Sequence, residues 1–431
     1  GTTGLGIQSL DLRAGSFQAP TGVLRIGGSH SGDVVLFKHT GGTFDAQDGE
    51  VAIDPAFSGC TARTASLELA PSTLFHDLRL AAGQGCGINA VITTEAGQPA
   101  RAVNDLIHEN GLLRGVFTCA ADLHILPSSD GGTARIILDG AVDQHYHMDT
   151  LAKRTAIVVV DKPSGTAAPG STTHAFRIQG LEVLQGSFVA PTGELAIGGD
   201  FSGNSTLFLQ SGGDFFANGG TTVIAPVGTG CTARTFTLDL LPTTRFHAMR
   251  LEVAQGCSMS AYLETAPGDT VVVEDQLQHN NGVLLGLFRV LKDLHVGTSA
   301  DAGTGQVILA GTDDQRYHVA TPVVRTAILV VDKPSGSVLP QDPAKVLHVQ
   351  GLWLLQGAFT APQAKLLVGG RWPGSGPLFQ HEAGTFDHAD GYTEFDVNHT
   401  VCTALQMDVL PHATTVFNRL GVRGTKSCSG P

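Results

Sequence analysis

Apolar and polar residues alternate over short stretches of this chain, and turn residues break the stretches, the pattern of half-buried strands. Thr235-Phe-Thr-Leu-Asp-Leu-Leu241 alternates along most of its length, as do Met249 to Val253 and Thr270 to Glu274, each bounded by Pro, Gly or Asn-Gly. β-Branched residues are frequent in these runs, as suits side chains that pack on a pleated surface. No capped stripe with a helical period occurs; Ala100 to His108 is the best short helical stretch, and a poor one. The pattern predicts an all-β fold.

The pattern also repeats. GSFQAPTGVLRIGG from Gly15 returns as GSFVAPTGELAIGG from Gly186 and as GAFTAPQAKLLVGG from Gly357, in two equal steps. AIVVVDKPSG from Ala156 returns one such step later as AILVVDKPSG from Ala327, and Phe75-His76 recurs as Phe246-His247 and as Phe417-Asn418. The 431 residues therefore divide into periods 1–171 and 172–342 and a half period 343–431. LEVLQGSF at Leu181 echoes LEVAQGCS at Leu251, which suggests an inner repeat of about half a period.

Two architectures accommodate such a repeat: a parallel β-solenoid, or a string of β-sandwich domains. Turn signals such as SGG at Ser211 and NGG at Asn218 recur faster than sandwich strands need. Sandwich loops tolerate insertions, so a register kept without net insertion favours the solenoid. The cysteines bear on the same choice. Cys60 and Cys86, Cys231 and Cys257, and Cys402 and Cys428 are equally spaced pairs that share the long register. Neighbouring solenoid coils lie about 4.8 Å apart, within the Cα range that a disulfide bridges. Three repeated disulfides are expected, and with them an oxidising compartment. Cys119 is left over; its counterpart is Val290, which reads as a small buried hydrophobe, with an intermolecular bridge as the alternative.

Composition narrows the function classes. An apolar fraction of 42% with 15% charged residues argues against disorder, and 55 glycines without a Gly-X-Y period exclude collagen. A net charge of −13 disfavours nucleic acid. No apolar run reaches the roughly 18 residues of a membrane-spanning helix. The chain opens at Gly1 without Met or an apolar leader, so a removed signal peptide is expected, and an extracellular or cell-surface location with it.

FQAPTGVLRIGG, LFKHTGGTFDAQDGEVAI and AIVVVDKPSG resemble the Gly-Thr-Phe repeats of bacterial secreted β-helix surface proteins. The resemblance covers most of both full periods and the half period. It implies an extracellular, adhesin-like or fibre-forming protein; the paired cysteines depart from the pattern and point to a specialised subfamily.

Candidate chemistry is sparse. Several of the 17 histidines keep the register: His76 with His247, His108 with His279, His124 with His295, and His147 with His318. Asp143-Gln144-x-Tyr146-His147 returns as Asp314-Gln315-x-Tyr317-His318, in which an Asp would orient a His as base or ligand, although duplication argues for a structural role. Asp45-x-x-Asp48-Gly49 and Asp387-x-x-Asp390-Gly391 have the donors for calcium but read as acidic turns. Asn204-Ser-Thr and Asn398-His-Thr match the glycosylation triplet. No nucleophile elbow, zinc-protease, Walker, dinucleotide or haem motif occurs. No catalytic residue, metal ligand or cofactor is assigned, and the chain is not expected to be an enzyme.

The leading expectation is a structural subunit that assembles head to tail with itself into an extracellular filament, fibre or sheath. Its sequence basis is that the first period starts almost at residue 1, the last stops in mid-period after Cys428, and neither end carries a capping segment. The alternatives are a cell-surface adhesin or glycan-binding stalk, with Trp353 and Trp372, the chain's two tryptophans, as its pointer, and a β-helical polysaccharide-degrading enzyme.

Overall fold

A computed structural model describes residues 4–148, 153–257, 259–321, 324–372, 374–399 and 406–426. Among them there is no helix, and strands dominate. The expected strands are found at Thr235–Asp239, Ala248–Glu252 and Thr270–Val273. The stretch Ala100 to His108 is not helical: Ala100–Ala102 is one strand and Leu106–Arg114 begins another. Leu106 and His108 are buried on either side of a half-buried Ile107, an alternation that fits a pleat better than a helical face. Among the described residues no helix is long and apolar enough to cross a membrane.

The chain divides into two compact units, Gly1–Gly198 with Leu207–Gly220, and Gly199–Thr206 with Thr221–Pro431. Within the first, Val23–His30 pairs with Glu50–Phe57, Val23 opposite Glu50, and Asp77–Ala81 continues that ladder by the same step, Asp77 opposite Glu50. The steps that follow differ in length: Leu78 pairs with Leu106, Leu106 with Leu123 after a much shorter excursion, and Leu123 with Tyr146. The second unit repeats them one by one, pairing Thr221 with Ala248, Met249 with Leu277, Leu277 with Leu294 and Leu294 with Tyr317. Every ladder described is parallel, a pairing foreign to the antiparallel sheets of a β-sandwich.

Parallel, in-register pairing sets like above like. Phe17 pairs with Phe44, Phe188 with Phe215, and Phe359 with Phe386, with ring centroids 6.1 to 6.2 Å apart and planes within 15°. Phe37, Phe44 and Phe75 close edge to face under the first of these pairs, and Phe379, Phe386 and Phe417 do so in the second unit. These rings are the recurrent phenylalanines of the sequence period, so the period repeats a core.

The recurrent glycines repeat a corner. Gly42, Gly213 and Gly384 have φ of +87°, +60° and +90°, and a Cβ on them would lie 2.5, 2.2 and 2.0 Å from the carbonyl oxygens of Gly15, Gly186 and Gly357. Only glycine lets the two backbone turns approach so closely. A second recurrent turn is tied by a side chain: Asp33 Oδ1 accepts from the Thr64 N–H at 2.9 Å, Asn204 Oδ1 from Thr235 at 3.0 Å and Ser375 Oγ from Gln406 at 3.0 Å. The exposed Asn204 of the glycosylation triplet thus has its carbonyl oxygen engaged in the turn.

Two of the three expected disulfides are present. Cys60–Cys86 and Cys231–Cys257 each have a Cα separation of 5.2 Å. They lie just beyond the paired residues Phe57 and Gln84, and Gly228 and Gln255, so each bridges adjacent strands of one ladder. Cys402 and Cys428 lie outside the described residues. Replacing Cys60 and Cys86 together by Ser is expected to cost about 3 kcal/mol, the loop entropy released in the unfolded chain. Thermal melting with and without reductant checks this: reductant should destabilise the parent more than the variant, which keeps Cys231–Cys257, by about the Cys60–Cys86 contribution.

Candidate functional site

The residues of the DKPSG motif meet those of the Asp-Gln-x-Tyr-His motif, which precedes it in the chain, inside the fold. Lys162 is 1% exposed, and its ammonium donates to the Gly140 carbonyl at 2.7 Å, the Val142 carbonyl at 2.8 Å and Gln144 Oε1 at 2.6 Å. Its three protons have three acceptors. Gln144 is fully used: Oε1 also accepts from the Gly140 N–H, and Nε2 donates to the carbonyls of Cys119 and Ala121. Lys333 and Gln315 reproduce the arrangement in the second unit, with Gly311, Asp313, Val290 and Lys292 supplying the backbone partners. The neighbouring motif residues are spent on similar ties. Ser164 Oγ donates to the Ala141 carbonyl and Ser335 Oγ to that of Thr312, while Asp161 and Asp332 accept from Gln185 and Gln356. Burial pushes both lysines below their ordinary pKa.

The other half of the constellation divides. Asp143 does not orient His147: its Oδ1 accepts from the Thr166 N–H at 2.8 Å, as Asp314 does from Ser337. Tyr146 and Tyr317 are buried and donate to the carbonyls of Val189 and Thr360. Burial raises both phenols above their ordinary pKa.

His108 and His279 are buried without accessible surface. Nδ1 of His108 meets Thr155 Oγ1 at 2.9 Å and Nε2 meets the Gly111 carbonyl at 2.8 Å; in His279 the partners are Thr326 and Gly282 at 3.2 and 2.8 Å. A carbonyl only accepts, so Nε2 carries a proton; burial disfavours a second one, which leaves each ring neutral at pH 7 with Nδ1 accepting from the threonine hydroxyl. Burial pushes both down to about 4.

A cluster of side chains with surface access remains. His124 and His147 are ladder partners, and their rings stack at 4.5 Å with planes 5° apart. Asp122 lies two residues before His124, just ahead of the strand Leu123–Gly132, and His145 two before His147 on Gln144–Met148. Asp122 Oδ2 is 3.4 Å from His147 Nε2 and its Oδ1 3.5 Å from His145 Nδ1. Asp105, from the preceding ladder position, lies 3.5 Å from His124 Nε2. The hydrogen bond from His124 holds the Asp105 carboxyl below its ordinary pKa, against the burial that raises it. One ligand atom each from Asp122, His124 and His147 fall within 4.8 Å of one another, a donor set suited to a metal ion. Asp122 keeps the sequence register too, recurring as Asp293, whereas Asp105 does not, its counterpart being Gln276. The signal that would find the first is Asp-x-His at Asp122 and His124, the spacing that sets two side chains on one face of a strand.

The remaining candidates are structural in this fold. Asp45 Oδ1 accepts from the Gln47 N–H and Asp387 Oδ1 from that of Ala389, closing tight turns, and the Gln47 bond holds the Asp45 carboxyl below its ordinary pKa. Cys119 is buried, its thiol pushed up to about 12 by burial, with the Asp122 carbonyl 3.2 Å from Sγ; it packs and is closed to an intermolecular bridge in this fold. Trp372 is 5% exposed and so offers no open ring face for a sugar, and the half-buried Trp353 donates its indole N–H to the Pro377 carbonyl. No family model, no curated protein and no solved structure matches the chain.

Proposed function

We propose that this chain is a structural repeat protein of an extracellular assembly, a parallel β-solenoid whose copies associate with one another, and that it is not an enzyme. The observation that carries the reading is the use of its recurrent polar residues. Lys162 and Lys333, Gln144 and Gln315, and His108 and His279 recur with the same backbone partners inside the fold. Chemistry kept for a substrate would converge on a cleft; here the duplicated polar groups hold strand to strand. Successive parallel steps, such as Leu78 to Leu106 and Leu294 to Tyr317, are of coil length, which supports the solenoid. The two disulfides favour export to an oxidising compartment, in keeping with the resemblance to secreted β-helix surface proteins. A glycan-binding stalk is the weaker reading, since Trp372 is buried and Trp353 half-buried.

Sedimentation velocity with electron microscopy across a concentration series tests the proposal. The expected result is particles longer than one copy that grow with concentration. A monomer at every concentration would overturn it.

A further inference from the structure

We propose that the first unit binds one divalent transition-metal ion of the zinc type through Asp122, His124 and His147, and that the matching position in the second unit does not. The argument is the contrast between two copies of one piece of backbone. In the first unit the ladder sets Asp122 beside His145 and His124 beside His147, and Asp105 stands before Asp122. Three imidazoles and two carboxylates thus share one face, each side chain 30% to 49% exposed and open to an ion from solution.

In the second unit the same positions carry Gln276, Asp293, His295, Arg316 and His318. One carboxylate has become an amide and one imidazole a permanent cation, both losses to a site that must hold positive charge. The imidazole pair also stands further apart: His295 and His318 are 5.3 Å between centroids with planes 38° apart, against 4.5 Å and 5° in the first unit. The backbone role of the aspartate is the same in both, since Asp122 accepts from the His145 N–H at 2.6 Å and Asp293 from that of Arg316 at 2.7 Å. The three ligands recur as Asp293, His295 and His318; what the first unit adds is their close approach, with Asp105 and His145 beside them in place of Gln276 and the cationic Arg316.

Two imidazoles and a carboxylate make a three-ligand zinc set, with the fourth position left to water. The ligand atoms would draw in from 4.8 Å to the roughly 3.3 Å between neighbours around a tetrahedral zinc, which rotation of half-exposed side chains supplies. Asp105, against His124, would fix that ring as a carboxylate partner does behind a metal-bound histidine.

The test is calorimetric titration of the metal-stripped full chain with Zn2+, repeated by competition against a chromophoric chelator. One tight equivalent is expected. His124→Ala and His147→Ala should each weaken it at least about 100-fold, while His295→Ala and His318→Ala leave it unchanged. Gln276→Asp with Arg316→His should add a second equivalent, a gain that no folding defect can imitate. The proposal is overturned if the parent binds no tighter than His124→Ala/His147→Ala, or if the second-unit substitutions weaken binding as much as the first-unit ones.

Discussion

Lowering the pH from 7 to 4 is expected to remove about 3 kcal/mol of stability for each of His108 and His279. Both rings are buried and neutral, and burial brings their pKa to about 4, against about 6.5 in an unfolded chain. Above pH 6.5 neither state holds the proton and stability is complete. Between 6.5 and 4 the unfolded chain binds protons that the fold refuses, so stability falls with pH through that window and levels off below it. The structural cause is burial, which denies a charged imidazolium its solvent. One such loss is a large part of what a domain commonly has. Chemical denaturation at stepped pH should show the slope, and His108→Gln with His279→Gln should flatten it by about the summed amount. A pH profile unchanged in that variant would refute the assignment. His348, lowered to about 4 by burial and by the charge of Arg325, leaves a residual slope in the second unit.

Replacing Lys162 by Met is expected to cost about 4 kcal/mol. The aliphatic stem is matched in size, so the loss falls on the ammonium. Three acceptors lose charge-assisted partners worth about 1.5–3 kcal/mol each, and relief from burying the charge offsets part of that. Lys333→Met should behave alike, because its three acceptors stand at 2.7, 2.7 and 2.9 Å. Adding Gln144→Leu to Lys162→Met should cost less than the sum of the two singles, since each single leaves the other's group unpaired. Thermal and urea unfolding measure all three; a loss below about 1 kcal/mol in Lys162→Met would show that water replaces the brace.

The strand content and the repeat were legible because both are written locally. Alternation along Thr235–Asp239 announces a pleat, and an unbroken register through Phe17, Phe188 and Phe359 announces a copied core. The cysteine spacing was legible for a similar reason: Cys60 to Cys86 is one step of the ladder that joins Phe57 to Gln84, a neighbour relation with a fixed length. What the sequence alone does not carry is which distant polar residues meet. Gln144 and Lys162 each stand in a recognisable motif, but that one is the other's acceptor depends on ladder steps, Leu138 to Val160 and Gln144 to Ala167, shorter than the step from Val23 to Glu50. The same ignorance of step length makes Asp143 look like the orienting partner of His147, when Asp122, one step back, stands there. A repeat reveals that a position matters twice; it does not reveal its neighbour.

The buried lysines give this protein a built-in chemical reporter. An amine-reactive reagent attacks the neutral, accessible amine, and Lys162 and Lys333 are each 1% exposed with every proton engaged, whereas Lys38 and Lys292 keep 38% and 62% of their side chains in solvent. Acylation would mark the latter at once and reach the former only when the strands around Gly140 or Gly311 part. The two sites lie in different tryptic peptides, so the time course of label at each would separate breathing of one unit from breathing of the other in the unmodified parent chain.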